Sequence, residues 1–317
     1  MSTISRSGIG LPDIAWVTWR QHRTVIGVTA LLAIATAAIT AWMTAQVRAD
    51  WTNSGDDFPY HMIGDVLSLQ FLHYPSVLGA LIAVFWAAPL LTREYEQRTQ
   101  VVAWGQDISP RRWLAGKVVV LAGIATALTA GLTIFTANMV GMIRELGTLN
   151  LQPFDVAAFE ANVLLQACYT VFGFALGVAF SALGRNTIFA MAGTLIVFAG
   201  FRLFVGTFVR EHYLPSLHGF RPWDPPGVRY QPLIPVDGHR IDSGYADAAG
   251  NPFDKPIPEC YGDEACLRAN GVAGHYATWQ PVDRVPGFQL IESGLFILLA
   301  AGLIAVAFSL VKRRNKI

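Results

Sequence analysis

Six apolar stretches separated by polar ones set the plan of the chain: Thr24–Ala45, Ser76–Leu91, Leu114–Val140, Ala161–Leu183, Thr187–Phe208 and Phe288–Val311. Each approaches or exceeds the ~20 apolar residues with which a helix crosses ~30 Å of hydrocarbon. The pattern predicts six transmembrane helices, spans one to six. Gly184, Arg185 and Asn186 are all that separates spans four and five, which predicts a tight helical hairpin. Gly173 and Gly177, four apart in span four, permit close approach of a neighbouring helix and are read as packing.

The polar stretches differ in kind. Asp13–Arg23, with Trp16, Trp19, Arg20 and Arg23, suits either a short helix on the membrane surface or the interfacial flank of span one. Gln46–Tyr74 contains Met62–Leu72, which could form a second short amphipathic helix. The stretch from Arg210 to Gly287 holds eleven of the seventeen prolines, and its run of turn signals predicts a large irregular segment outside the membrane. The resulting divisions are 1–23, an N-terminal segment; 24–208, spans one to five; 209–287, the large segment; and 288–317, span six with a basic tail.

Residues 92–117 are the polar island on which the reading turns. Arg93, Glu94, Glu96, Arg98, Asp107, Arg111, Arg112 and Lys117 lie there, interleaved with Trp104 and Trp113. Bare charges cost several kcal/mol in hydrocarbon, so the island must protrude into water. Ser109 and Pro110 suit the N-cap and first position of the helix that restarts span three. Thr99–Gln106 is expected as a short helix that docks another protein, because Val101, Val102 and Trp104 would be wasteful on a free loop. Glu94 and Glu96 are expected to fix the loop by polar contacts. Trp104 and Trp113 are expected to anchor it at the interface.

Charge sets the orientation. With both termini cytoplasmic, thirteen Lys and Arg fall on the inner side, against Arg48 and Arg144 on the two short outer loops. That contrast follows the positive-inside rule, from which long loops are exempt. The large segment is therefore expected to be extracytoplasmic.

Composition agrees with a membrane protein. Hydrophobic residues make up 53% of the chain, charged residues only 14%, and mean hydropathy is +0.41, whereas an average soluble domain is roughly 25% charged. The first apolar run starts too late for a cleaved signal peptide. Arg202 is read as the one clear charge within a span, either functional or snorkelling to the outer interface. Cys168 lies in span four, while Cys260 and Cys266, six apart in the large segment, could pair in a disulfide. No catalytic site is expected: the histidines of the large segment match no ligand spacing, and the Gly-x-x-x-x-Gly-Lys-[Ser/Thr] phosphate loop is missing.

The island also carries a family resemblance. Glu94-Tyr95-Glu96-Gln97-x-Thr99, followed by Ala103-Trp104-x-Gln106-x-x-Ser109-x-x-Arg112-Trp113-Leu114-x-x-Lys117, resembles the loop after span two of ABC-2-type transporter permeases of actinobacteria. Relatives often have Gly before the Thr, where this chain has Arg98, which bears on the bend there. The resemblance implies an all-α integral membrane subunit of an ABC exporter that works as a homodimer or paired permease. A separate ATPase would bind ATP and magnesium, leaving this chain without a cofactor or metal. Glu94, Glu96, Thr99, Val101, Val102, Trp104, Gln106, Arg112 and Trp113 would then form the coupling loop. The cargo is expected to be hydrophobic or amphipathic, the location the cell membrane, and no nucleic-acid partner is expected. The rival from another class is a sensor or assembly scaffold acting through the large segment.

Overall fold

A computed structural model describes residues 11–54, 72–97, 109–147, 151–184, 186–223, 232–254, 260 and 262–314. The chain divides into two compact units. One comprises Met1–Asn150, Glu160–Leu203 and Leu290–Ile317; the other comprises Leu151–Phe159 and Phe204–Gln289.

Six helices among the described residues are long and apolar enough to cross a membrane. Span one is the helix Leu11–Ser54. Span two runs through Tyr74–Ile82, a π-turn at Ala83–Ala87, and Pro89–Gln97. Spans three, four and six are Pro110–Leu146, Val163–Leu183 and Val285–Arg314. Span five is Thr187–Phe204, carried on by a π-turn at Val205–Val209. Spans two and four are mostly buried, while most positions of the other four are not, as suits helices that face lipid.

Span one begins earlier than a separate surface helix would allow. No break sets residues 13–23 apart: Ile14 and Thr18 are buried, and Ile14 lies so close to Gly116 that a Cβ there would stand 2.6 Å from Ile14 Cγ2. Trp16 and Trp19 remain exposed, with the Arg20 guanidinium 5.4 Å from the Trp16 ring centre. The expectation for Met62–Leu72 falls, except for Leu72, outside the described residues.

The π-turn in span two follows from Pro89. Proline has no N–H for the carbonyl of Phe85, and its ring crowds that carbonyl. The ladder shifts register instead, with Ala88 N donating to Ala83 O at 3.0 Å. Span four packs against this turn through its glycines. A Cβ on Gly177 would lie 2.6 Å from Ala87 Cβ and 2.7 Å from Ala83 O; on Gly173 it would meet Phe198 at 2.9 Å. The Gly173/Gly177 pair is thus a packing seam, with span two on one side and span five on the other.

The second unit corrects the expectation of an irregular segment and of an all-α chain. It contains a three-stranded antiparallel sheet of order β1-β3-β2, with β1 Leu217–Pro222, β2 His239–Ala246 and β3 Gly274–Gln280. Gly274 closes one end because a Cβ there would stand 2.1 Å from Arg221 O. At the other end of β3, Gln280 is fully buried and donates to Glu211 O and Leu214 O at 3.2 and 2.8 Å. A short helix, Glu264–Ala269, sits between β2 and β3, capped by Asp263. The Cys260–Cys266 disulfide joins Leu267, Val272, Trp223, Tyr245 and Phe253 in a small apolar cluster there.

Candidate functional site

The two ends of the polar island are fastened to the helix bundle. Leu91 N and Thr92 N both donate to Ser181 Oγ, at 2.8 and 3.1 Å, joining the end of span two to the end of span four. Both N–H groups lie in the first turn of the helix that restarts at Pro89, where donors are poorly served by the helix itself. Glu94 Oε1 accepts from Lys117 Nζ at 2.8 Å, joining span two to span three. The Lys117 side chain is 2% exposed and that of Glu94 20%, and the ammonium also lies 4.0 Å from the Trp113 ring centre. An ammonium removed from water in this way is tolerable only when paired.

Glu96 Oε1 accepts from Thr187 N at 2.8 Å, at the first residue of span five. Two further N–H groups of that first turn, on Ile188 and Phe189, donate to Asn186 Oδ1. The carboxylate of Glu96 therefore complements a helix N-terminus, where free donors and the helix dipole favour negative charge. Thr92 and Thr187 hydroxyls meet at 2.9 Å beside it.

Span three starts with Pro110 at its first turn, and Ser109 Oγ accepts from Arg112 N at 3.4 Å. Arg112 itself is exposed, and Trp113 is half-buried against the bundle core. Of the residues expected in the coupling loop, the structure brings Glu94, Glu96 and Trp113 onto the bundle. Thr99, Val101, Val102, Trp104 and Gln106 lie outside the described residues. Lys117 was read only as one of the island's charges and a motif position, and Ser181, which completes the fastening, was not singled out from the sequence.

A second polar network lies at the opposite ends of these helices and corrects the reading of Arg202. Its guanidinium is ion-paired with Glu160 and stacks on the Tyr169 ring at 4.0 Å; Arg202 and Glu160 side chains are only 12% and 11% exposed. It is not the one charge within a span, because Glu292 of span six is buried and accepts from the Tyr169 hydroxyl. Ser76 Oγ of span two donates to Glu160 Oε2 at 3.1 Å and accepts from Gln166 Nε2 of span four at 2.9 Å. Spans two, four, five and six thus share one network, lined by Phe172, Phe198, Phe201 and Phe296. A lone acidic residue in the apolar run FQLIESGLF was the available sign of Glu292.

In the sheet unit the histidines are engaged in packing and hydrogen bonding. His218 contacts Gly250 O at 3.0 Å, His239 contacts Glu211 Oε1 at 3.2 Å, and His275 packs against Trp223 and Tyr245. Among the described residues no three His, Cys, Asp or Glu are grouped as a metal ion would need.

These features define a multi-pass membrane protein whose polar contacts are concentrated at the two ends of a helix bundle. Residues 23–210 match the family described as ABC-2 membrane transporter related, more than half of the chain. The chain belongs to this family and is an ABC-2-type permease. The match ends at the last turn of span five, so all three strands of the sheet lie outside it. Comparison with curated proteins and with solved structures gives no match.

Proposed function

We propose that this chain is the membrane-spanning permease subunit of an ATP-driven exporter, powered by a separate ATPase that docks on residues 92–117. The observation that carries this reading is the fastening of the island at both ends. Thr92, Glu94 and Glu96 on one side and Lys117 on the other tie it to spans three, four and five. A push on the intervening residues would reach three helices beyond span two. Family membership supplies the expected source of that push, an ABC ATPase.

In this account ATP and magnesium bind to the partner, and its cycle shifts the bundle between inward- and outward-facing states. A second copy of the permease completes the pathway. Both termini and the island are cytoplasmic, the sheet unit is extracytoplasmic, and the Cys260–Cys266 pair is oxidised there. The cargo is hydrophobic or amphipathic, as the apolar bundle surfaces suggest.

Two experiments test this. Purification of the full chain from its native membrane should bring down an ATPase carrying a phosphate-binding loop; its absence under conditions that keep the permease intact would contradict the proposal. Single cysteines at positions 98 and 254, labelled in intact cells by an impermeant reagent, should react at 254 and stay silent at 98. Labelling at 98 would reverse the orientation.

A further inference from the structure

A cleft of about 360 Å³ lies between spans one, two and three, beside the Glu94–Lys117 pair. Its lining is mixed. Val25, Phe85 and Leu90 supply apolar surface, while His22, Arg93 and Lys117 bring polar and basic groups to it. Glu94 also lines it and balances Lys117, to which it is bonded, so Arg93 leaves the lining net positive, while His22 offers a neutral ring nitrogen as a further polar partner. Phe85 is 52% exposed on a helix whose other π-turn side chains are mostly buried. In a bundle that crosses a membrane, such a ring faces hydrocarbon. The cleft therefore offers both apolar contact and a net positive charge.

We propose that this cleft is a binding site for an anionic phospholipid. Arg93 and His22 hold the headgroup phosphate, and Val25, Phe85 and Leu90 pack against the first methylenes of the acyl chains. Guanidinium groups suit phosphate because their donors match its oxygens and they stay charged. Basic pockets between spans are a recurrent way of holding anionic headgroups. A zwitterionic lipid carries its own cation beside the phosphate and gains less from Arg93. Inorganic phosphate has the charge but nothing to place against Phe85. The site does not depend on the ATPase reading, since it needs only the bundle and the membrane around it.

The test is native mass spectrometry of the full-length protein in detergent, titrated separately with phosphatidylglycerol and phosphatidylcholine. The expected result is retention of phosphatidylglycerol with an apparent Kd about tenfold lower than that of phosphatidylcholine. The double variant H22Q/R93Q should remove the difference. Arg111→Gln, which deletes an exposed charge in the first turn of span three outside the cleft, should preserve it. Val25→Phe adds bulk to the apolar surface without changing any charge and should also weaken retention; it carries the test if the double variant does not purify as a single species. Equal retention of the two lipids, or preference for phosphatidylglycerol undiminished in both cleft variants, would overturn the proposal. Displacement of the lipid by millimolar inorganic phosphate would overturn the lipid assignment in favour of a soluble phosphate-bearing ligand.

Discussion

Lys117 and Glu94 lie 23 residues apart in sequence and meet at 2.8 Å, ammonium to carboxylate, where the polar island leaves and rejoins the bundle. The contact is a clasp: it fixes the distance between the end of span two and the start of span three. Because the Lys117 side chain is almost wholly buried, removing Glu94 strands a charge. Glu94→Ala should cost on the order of 2–4 kcal/mol, less than a fully buried pair because Glu94 retains some exposure. The double variant E94Q/K117M should recover much of that loss. Thermal unfolding of the detergent-solubilised protein measures both, and equal melting of Glu94→Ala and the parent would show the clasp to be dispensable.

The Arg202–Glu160 pair should behave as a unit. Arg202→Glu places two carboxylates together at a poorly exposed site and should sharply lower the amount of protein inserted. The exchange R202E/E160R should restore part of it, with a coupling of about 0.5–3 kcal/mol between the positions. Membrane level by immunoblot is the readout. Additive losses in the exchange would mean that the two side chains act separately.

The helix seam predicts a contrast between glycines. Gly177→Ala sets a methyl within 2.7 Å of Ala83 O, backbone that cannot move aside cheaply, and should destabilise by about 1–3 kcal/mol. Gly131→Ala in span three meets nothing within 4 Å and should be neutral or slightly stabilising, since alanine is the better helix former. Similar melting temperatures for the two variants would remove the seam from the account.

In the sheet unit the Cys260–Cys266 disulfide closes a short loop, for which the chain-entropy contribution is about 2 kcal/mol. Peptide mass analysis without reduction should recover the linked pair, and the C260S/C266S variant should lose order around Trp223, read by its fluorescence. Two free thiols in protein purified under oxidising conditions would refute the link.

Much of the bundle was legible in the sequence because its signals are local. Runs of about twenty apolar residues mark spans, Ser109-Pro110 marks a helix start, and Gly173 with Gly177 marks a close approach. The sheet was hidden because β1 and β2 contain His, Arg, Gly and Pro, and prolines around them mask short strands. Only GHYATWQ, with Tyr276, Thr278 and Trp279 before Pro281, carries a strand signature. The Arg202 network was hidden for a different reason: Tyr169, Arg202 and Glu292 come from three helices and Glu160 from the turn before span four, and no spacing along the chain brings them together. Ser181 was equally silent, since a serine in an apolar span is unremarkable until two N–H groups converge on it.

If residues 92–117 receive force from an ATPase, an island variant that still inserts should lose capture of that partner. Replacing Val101, Val102 and Trp104 with Ser, Ser and Gln removes apolar surface worth roughly 2–4 kcal/mol of contact at ~25 cal/mol per Å². The account predicts normal membrane levels of the triple variant and at least tenfold weaker capture of the ATPase in a quantitative pull-down. Undiminished capture, together with undiminished ATP-dependent export by the inserted variant, would make the island a linker and contradict the account.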